Sequence, residues 1–189
     1  HHTKALDISS ATEIDFSVQV HAVTFSDTVL LFTKGHQDTD LRAILFMATE
    51  ILSQALRLCV PIRIGISVGT FFFNLDESMY VGPALIEAYQ IGEKAQWIGI
   101  TTSAEVYRRT KENNLTTGSS DAVISTEIPH SDGNHSGYAV NWPTALRTSI
   151  IAPLPITTQQ LYSGFEQYFG KWESLPDTVK VKYDNTVHF

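Results

Sequence analysis

The sequence predicts an α+β sandwich, with helices packed on one face of a mainly antiparallel sheet. Strand-like runs alternate with amphipathic stretches in the order β-β-α-β-β-α-β-α-β-β, which is typical of an α+β layer architecture. Residues 13–23 alternate apolar with polar residues, residues 29–32 are apolar, and the short turn TFSDT separates them, which is the pattern of a β-hairpin. Residues 62–68 (IRIGISV) are almost continuously apolar, as expected of a central strand. Gly65 within that strand indicates a close backbone approach or a bend.

Three helices are predicted from apolar periodicity and from the residues at their ends. Residues 38–58 carry an apolar residue every three or four positions, which gives one buried face, and residues 38–40 (DTD) are the N-cap candidates. A second helix is predicted over residues 83–94, because proline is favoured in a first turn. A third is predicted over residues 103–110, capped by its initial serine.

The remaining strands are predicted from short apolar runs between turn residues. Residues 71–80 (FFFNLDESMY) are typical of a second hairpin that turns at residues 74–78. A short strand is predicted over residues 97–101. The last two strands are predicted over residues 122–128 and 138–142, joined by a loop containing SDGNHS.

The rest of the chain is predicted to be less regular. A polar loop, an irregular connector, an aromatic helix and a final segment are predicted over residues 111–121, 143–155, 160–172 and 177–189. The predicted organisation is a tag remnant with an N-terminal segment (residues 1–13), a core domain (residues 14–142) and a C-terminal helical extension (residues 143–189).

Composition limits the classes of function. The chain of 189 residues is 43% hydrophobic and 17% charged, which is ordinary for one globular domain. Its net charge of −7 argues against a nucleic-acid binder, which usually presents a basic face. The single cysteine, Cys59, cannot form an internal disulfide, and neither a signal peptide nor a membrane span is predicted. We therefore expect a cytoplasmic protein without nucleic-acid or membrane partners, and His1 and His2 are typical of a purification tag.

The first hairpin presents the leading candidate for a functional residue. Asp27 lies in its turn (TFSDT), where two ordered strands hold a carboxylate that still reaches solvent. Such a carboxylate suits a divalent ion, since Mg²⁺ takes oxygen ligands and keeps several waters. The alternative is that Asp27 only supports the turn, because aspartate bonds readily to nearby backbone amides.

The order of elements and two motifs resemble the class III nucleotide cyclases. The turn sequence TFSD, ending at Asp27, resembles the metal-binding hairpin of that family, and RIGISVG (63–69) resembles the strand that follows. The helix start VGPALIEAY (81–89) and the strand WIGI (97–100) are similar to the next elements. The resemblance covers roughly residues 14–142 and implies a ferredoxin-like, class III cyclase-like sandwich. The GPALIEAY helix, a YAVNWP strand and a KYDNT ending are similar to those of divergent bacterial relatives, a branch near the antiphage pyrimidine cyclases, which implies a link to antiviral defence.

The resemblance implies a nucleotidyl cyclase, a phosphorus–oxygen lyase that converts a nucleoside triphosphate to a cyclic nucleotide monophosphate. Two Mg²⁺ or Mn²⁺ ions per site would activate the ribose hydroxyl and hold the triphosphate at a homodimer interface. Asp27 would be a catalytic metal ligand and Asp7 the second ligand, with Ser26 as a neighbour of the backbone or the phosphates. Asp7 lies in LDISS, without the Gly-Phe of the family's first metal motif.

Two positions on the second helix depart from the family. Active members present an asparagine and, four residues later, an arginine, where this chain has Ile86 and Gln90. Isoleucine donates no side-chain hydrogen bond, and glutamine lacks the charge that makes arginine effective on phosphate. The resemblance thus implies that Gln90 contacts the nucleotide. Arg63 and Lys94 are the cations nearest in sequence that could replace the missing arginine. Arg63 is the catalytic candidate of the two; its alternative is a surface residue beside the strand.

Three functions from different classes remain open at this point. The chain is a metal-dependent cyclase, or a catalytically silent member of the fold that serves as a nucleotide-binding or dimerisation module. The third is an unrelated ferredoxin-like binding domain whose hairpin matches by chance. Among other candidates, residues 71–73 (FFF) are predicted to pack in a core or a dimer surface. No metal-ligand spacing is predicted for the five remaining histidines, His21, His36, His130, His135 and His188.

Overall fold

The prediction of an α+β fold is confirmed by a computed structural model, which describes residues 6–7, 20–149 and 157–189. Its sheets are mixed rather than uniformly antiparallel. The strand predicted for residues 13–19, part of the connector after residue 149, and His1 and His2 lie outside the described residues.

A four-stranded sheet lies at the centre of the fold. Its strands, in spatial order, are β10 (Val123–His130), β11 (Gly133–Val140), β7 (Gly99–Thr102) and β4 (Arg63–Ile66). The first two pairs are antiparallel, and β4 pairs with β7 in parallel.

Short sheets surround the central one. The two predicted hairpins are confirmed as β2 (Val20–Phe25) with β3 (Thr28–Thr33), and β5 (Phe72–Asn74) with β6 (Met79–Val81). The third sheet consists of β1 (Leu6–Asp7), β8 (Leu115–Thr117) and β9 (Ser120–Asp121). The prediction of a polar loop over residues 111–121 is therefore wrong, because β8 and β9 pair within it.

The three helices of the core domain are confirmed as α1 (Asp38–Arg57), α2 (Pro83–Lys94) and α3 (Ala104–Glu112). The hydroxyl of Ser103 accepts from the amide of Val106, as its predicted N-cap role requires. The N-cap of α1 differs from the prediction, since it is Gln37. The amide of Gln37 donates to the Asp40 carboxylate at 2.9 Å, which closes the first turn.

The C-terminal part is more helical and more broken than predicted. It contains α4 (Trp142–Ser149), α5 (Thr158–Tyr162), α6 (Glu166–Phe169), a 3₁₀ turn (Trp172–Ser174) and α7 (Asp177–His188). The prediction of one aromatic helix over residues 160–172 is therefore wrong. Gly170 instead ends α6 with a φ of 87°, a left-handed conformation that glycine adopts at little cost.

One main core joins the central sheet to helices from both parts of the chain. Leu45 and Leu52 of α1, together with Ile100 of β7, are fully buried in it. Phe165 and Tyr183 from the C-terminal part belong to the same cluster. Among the described helices, none combines the length and the apolar character needed to cross a membrane.

Candidate functional site

The β2–β3 turn places Asp27 in solvent at the tip of a hairpin. Phe25 pairs with Thr28, so the turn has only two residues, Ser26 and Asp27, and Ser26 has a φ of 53°. Both turn residues are exposed. The Thr28 hydroxyl donates a hydrogen bond to the Asp27 carboxylate, and the distance of 3.5 Å between the two oxygens is long for such a bond. The carboxylate is thus open to a ligand.

An aromatic cluster holds this hairpin against the β5–β6 hairpin. The ring of Phe32 lies 4.9 Å from that of Phe73, and the ring of Phe25 meets Tyr80 edge-on at 5.3 Å. His21 of β2 also belongs to this cluster and stacks on Phe32 at 5.1 Å. Ring pairs of this geometry stabilise by about 0.5–1.5 kcal/mol each. Asp27 therefore extends from a packed support.

The β5–β6 hairpin carries large apolar side chains on both of its faces. Phe73 and Tyr80 point into the aromatic cluster, while the side chains of Phe72, Met79 and Val81 on the other face are 63%, 50% and 51% exposed. A hairpin with one solvent face usually carries polar residues there. We call the surface formed by Phe72, Met79 and Val81 the apolar face. Residues 71–73 thus supply both a packed cluster and an exposed surface.

The helix positions that differ from the cyclases lie in solvent on α2. Ile86 is 55% exposed, and Gln90 is exposed as well. Helix α2 begins directly after β6, and the amide of Ala84 donates to the carbonyl of Thr70 at 3.3 Å. The helix start is thus tied to the base of the second hairpin.

Arg63 is engaged at the C-terminal end of α2. Its guanidinium donates to the Glu93 carbonyl at 2.8 Å and to the Glu93 carboxylate at 2.8 Å, with a longer contact to the Ala95 carbonyl at 3.4 Å. Carbonyls at a helix end lack intrahelical donors, and a cation there also complements the helix dipole. These contacts give Arg63 a structural task at the opposite end of the helix from Ile86.

Asp7 and Asp27 are carried by different sheets. Strand β1 pairs in parallel with β8, and Asp7 lies opposite Thr116 there. Its side chain is outside the described residues. Among the described side chains, Asp27 belongs to no group of three or more histidine, cysteine or carboxylate ligands. Of the two carboxylates that the cyclase resemblance implies, the structure therefore describes the side chain of Asp27.

A second constellation lies at the tip of the β10–β11 hairpin. His130, Asp132 and His135 place one ligand atom each within 4.8 Å of one another. The His135 Nε2 lies 2.9 Å from an Asp132 carboxylate oxygen, and the two imidazole rings stack with centroids 4.5 Å apart. His130 is half-buried and the other two are exposed.

The electrostatics of this cluster favour an ionised aspartate beside a neutral histidine. The hydrogen bond with His135, followed by a bond to its own backbone, lowers the pKa of Asp132. Partial burial lowers the pKa of His130, and the nearby His135 and Lys94 lower it further, while Asp132 opposes the shift. A neutral imidazole and an ionised carboxylate are the forms that bind metals.

No ligand spacing in the sequence indicates this cluster, and residues 131–136 (SDGNHS) are predicted to be a loop. In the structure β10 and β11 run on to a turn at Ser131 and Asp132, so the loop prediction is wrong for most of that segment. His130 pairs with Gly133 and Ile128 with His135. The two histidines are therefore diagonal neighbours on one face, a relation that appears only once the register is known.

Comparison with known proteins adds no relative. No family model, no curated protein and no solved structure matches this chain.

Proposed function

We propose that this chain is a class III cyclase-like domain that binds a nucleoside triphosphate through Asp27 and a divalent ion, and that it works as a homodimer. The reaction proposed is conversion of the triphosphate to a cyclic nucleotide monophosphate with release of pyrophosphate. The finer fold assignment, a ferredoxin-like sandwich of the cyclase type, belongs to the same proposal.

One observation carries the proposal: Asp27 is an open carboxylate at the tip of a hairpin that an aromatic cluster holds in place. Oxygen ligands of this kind suit Mg²⁺ or Mn²⁺, which would neutralise the phosphates that a chain of net charge −7 otherwise repels. Ser26, exposed beside it, and Gln90 on α2 are the proposed contacts to the nucleotide.

The homodimer is supported by the apolar face next to this hairpin. Phe72, Met79 and Val81 form a surface that water solvates poorly, and a second copy would cover it. The second metal carboxylate, proposed as Asp7, would complete the ion site.

A catalytically silent nucleotide-binding module is the second candidate, and the α2 contacts favour it. Ile86 offers no donor to a phosphoryl oxygen, and Arg63 is bound to the end of α2. Loss of one preorganised donor typically costs about 10²–10³ in rate. A domain with this helix would retain the bound nucleotide and turn it over slowly or not at all.

The first test measures nucleotide binding and turnover by the same protein. Each of the four nucleoside triphosphates is incubated with Mn²⁺, and pyrophosphate, cyclic product and the Kd are measured. For Asp27→Asn we expect loss of pyrophosphate release and at least a tenfold weaker Mn²⁺-dependent Kd, because the ion loses its charged ligand. Asp76→Asn is the matched control, since Asp76 is an exposed aspartate in the turn of the neighbouring hairpin.

The outcomes separate the candidates. Turnover that Asp27→Asn abolishes and Asp76→Asn retains supports the enzyme. Metal-dependent binding without turnover, again lost only in Asp27→Asn, supports the silent module. Absence of binding by any triphosphate contradicts both and leaves an unrelated binding domain.

A further inference from the structure

We propose that the tip of the β10–β11 hairpin is a binding site for one divalent transition-metal ion, with Zn²⁺ as the ion of choice and His130, Asp132 and His135 as its ligands. This site is independent of the proposed nucleotide site. It uses different residues on a different sheet, and two of its three ligands are histidines rather than carboxylates.

The distances bring three ligand atoms close to what one ion requires. Zinc binds histidine nitrogen and carboxylate oxygen at about 2.0–2.2 Å, so that tetrahedral ligand atoms lie about 3.3 Å apart. The three atoms already lie within 4.8 Å of one another, and His135 and Asp132 are 2.9 Å apart. Rotation of exposed side chains covers the remaining difference.

The backbone under the cluster is fixed, which keeps the ligands together. Eight residue pairs hold β10 to β11; His130 belongs to the last pair, and Asp132 lies in the two-residue turn that follows it. Ile128, which pairs with His135 two pairs along the ladder from His130, is 2% exposed, and the carbonyl of Pro129 accepts from the Gln96 amide at 2.7 Å. The hairpin is thus anchored to the main fold immediately beside the ligands, so binding costs little backbone ordering.

The donor set selects the kind of ion. Two imidazoles with one carboxylate suit Zn²⁺, Co²⁺, Ni²⁺ and Cu²⁺, whereas Mg²⁺ and Ca²⁺ prefer all-oxygen ligands. Three protein ligands leave a fourth position of a tetrahedral zinc ion for water or another ligand.

Three features oppose binding, and each is small. The stacked rings of His130 and His135 have to turn so that both nitrogens point at one ion, and the Asp132–His135 hydrogen bond is replaced by coordination. That bond joins exposed groups and contributes little to stability. Lys94 adds a positive charge nearby, which the charge of Asp132 offsets.

The test titrates Zn²⁺ into the full chain carrying His1→Ala and His2→Ala, which removes the terminal histidine pair as a competing site. Competition with a chromogenic chelator gives the stoichiometry and the Kd. We expect one ion per chain, and at least a tenfold weaker Kd for each of His130→Gln, Asp132→Asn and His135→Gln. His36→Gln, an exposed histidine outside the cluster, is the matched control and keeps the parental Kd.

A second measurement protects against a folding artefact. Thermal unfolding of each metal-free variant reports its fold, and Asp132→Asn changes only an exposed turn residue. Zn²⁺ should raise the Tm of the parent and of His36→Gln but not of the three cluster variants, because an ion bound only to the folded state stabilises it.

The proposal is overturned if the parent binds no Zn²⁺, if the cluster variants keep its Kd, or if only one of the two histidines matters. Asp27→Asn should leave the Zn²⁺ Kd unchanged. Failure of the nucleotide test and failure of this one are therefore distinguishable.

Discussion

Gly65 lets strand β4 and helix α2 approach through their backbones. A Cβ atom at this position would lie 1.9 Å from the carbonyl oxygen of Ala88 and 2.9 Å from the amide nitrogen of Gly92. Both are backbone atoms and cannot turn aside. The close approach expected from a glycine within the RIGIS strand is confirmed, and it explains why glycine occurs twice at this crossing.

Gly65→Ala should be strongly destabilising, because the strand or the helix has to move to admit a methyl group. We expect a loss on the order of 3 kcal/mol in the free energy of unfolding, measured by urea denaturation. Gly69→Ala is the control, since a Cβ there would meet the Cβ of Ala84 at an ordinary 3.5 Å. Equal losses in the two variants would show that chain entropy rather than the close approach determines the effect.

At the scale of elements, the KYDNT segment of α7 ties the C-terminal helix to the core domain. The Thr186 hydroxyl accepts from the buried amide of Ile98 at 2.8 Å, and Asn185 donates to the Gln96 carbonyl at 2.7 Å. Asp184 accepts from the Thr158 hydroxyl at 2.6 Å. Backbone groups just before β7 thus receive their partners from the far end of the chain. The motif has a structural role in this protein.

Thr186→Val should destabilise the protein while keeping the shape of the side chain. The amide of Ile98 would lose its buried acceptor, and an unsatisfied buried group costs about 1–3 kcal/mol. Thr178→Val, at an exposed position of the same helix, should change stability by less than about 0.5 kcal/mol. Urea unfolding followed by circular dichroism measures the free energy of unfolding of both variants. Equal values for the two variants would contradict the structural role of Thr186.

Elements with strong local signals could be predicted from the sequence, and elements that depend on pairing could not. Helix α2 begins at Pro83 and ends at Lys94 as predicted, because proline, periodicity and the last cation all lie within it. The β10–β11 hairpin extends through Gly133 and Asn134, two residues typical of loops, because a ladder of eight pairs outweighs their preference.

The same distinction between local signals and strand pairing applies to the candidate sites. The hairpin of Asp27 could be predicted from two apolar runs, whereas the His130 cluster depends on strand register. What Arg63 contacts could not be read from its strand either, because its partner Glu93 lies 30 residues away. Local sequence patterns identify single candidate residues, but the residues that surround each of them are known only from the three-dimensional fold.

At the scale of the whole molecule, the two-faced β5–β6 hairpin supplies the surface proposed for the homodimer. One face packs on the aromatic cluster, and the apolar face of Phe72, Met79 and Val81 remains open. Ile86 and Tyr89 follow on α2, 55% and 61% exposed. Each copy carries a charge of −7, so attraction between copies has to come from apolar contact rather than from net charge.

Phe72→Glu should therefore convert a homodimer to a monomer, because each of the two copies places one extra negative charge in the proposed interface. Sedimentation velocity over a range of protein concentrations measures the association.

Raising the salt concentration should strengthen association of the parent chain, since salt screens the repulsion between two acidic copies. Leu58→Glu is the matched control: Leu58 is 68% exposed directly after α1, and the dimer should survive its replacement. A dimer that Leu58→Glu dissociates and Phe72→Glu leaves intact would place the interface elsewhere, and a parent chain that stays monomeric throughout would contradict the dimer itself.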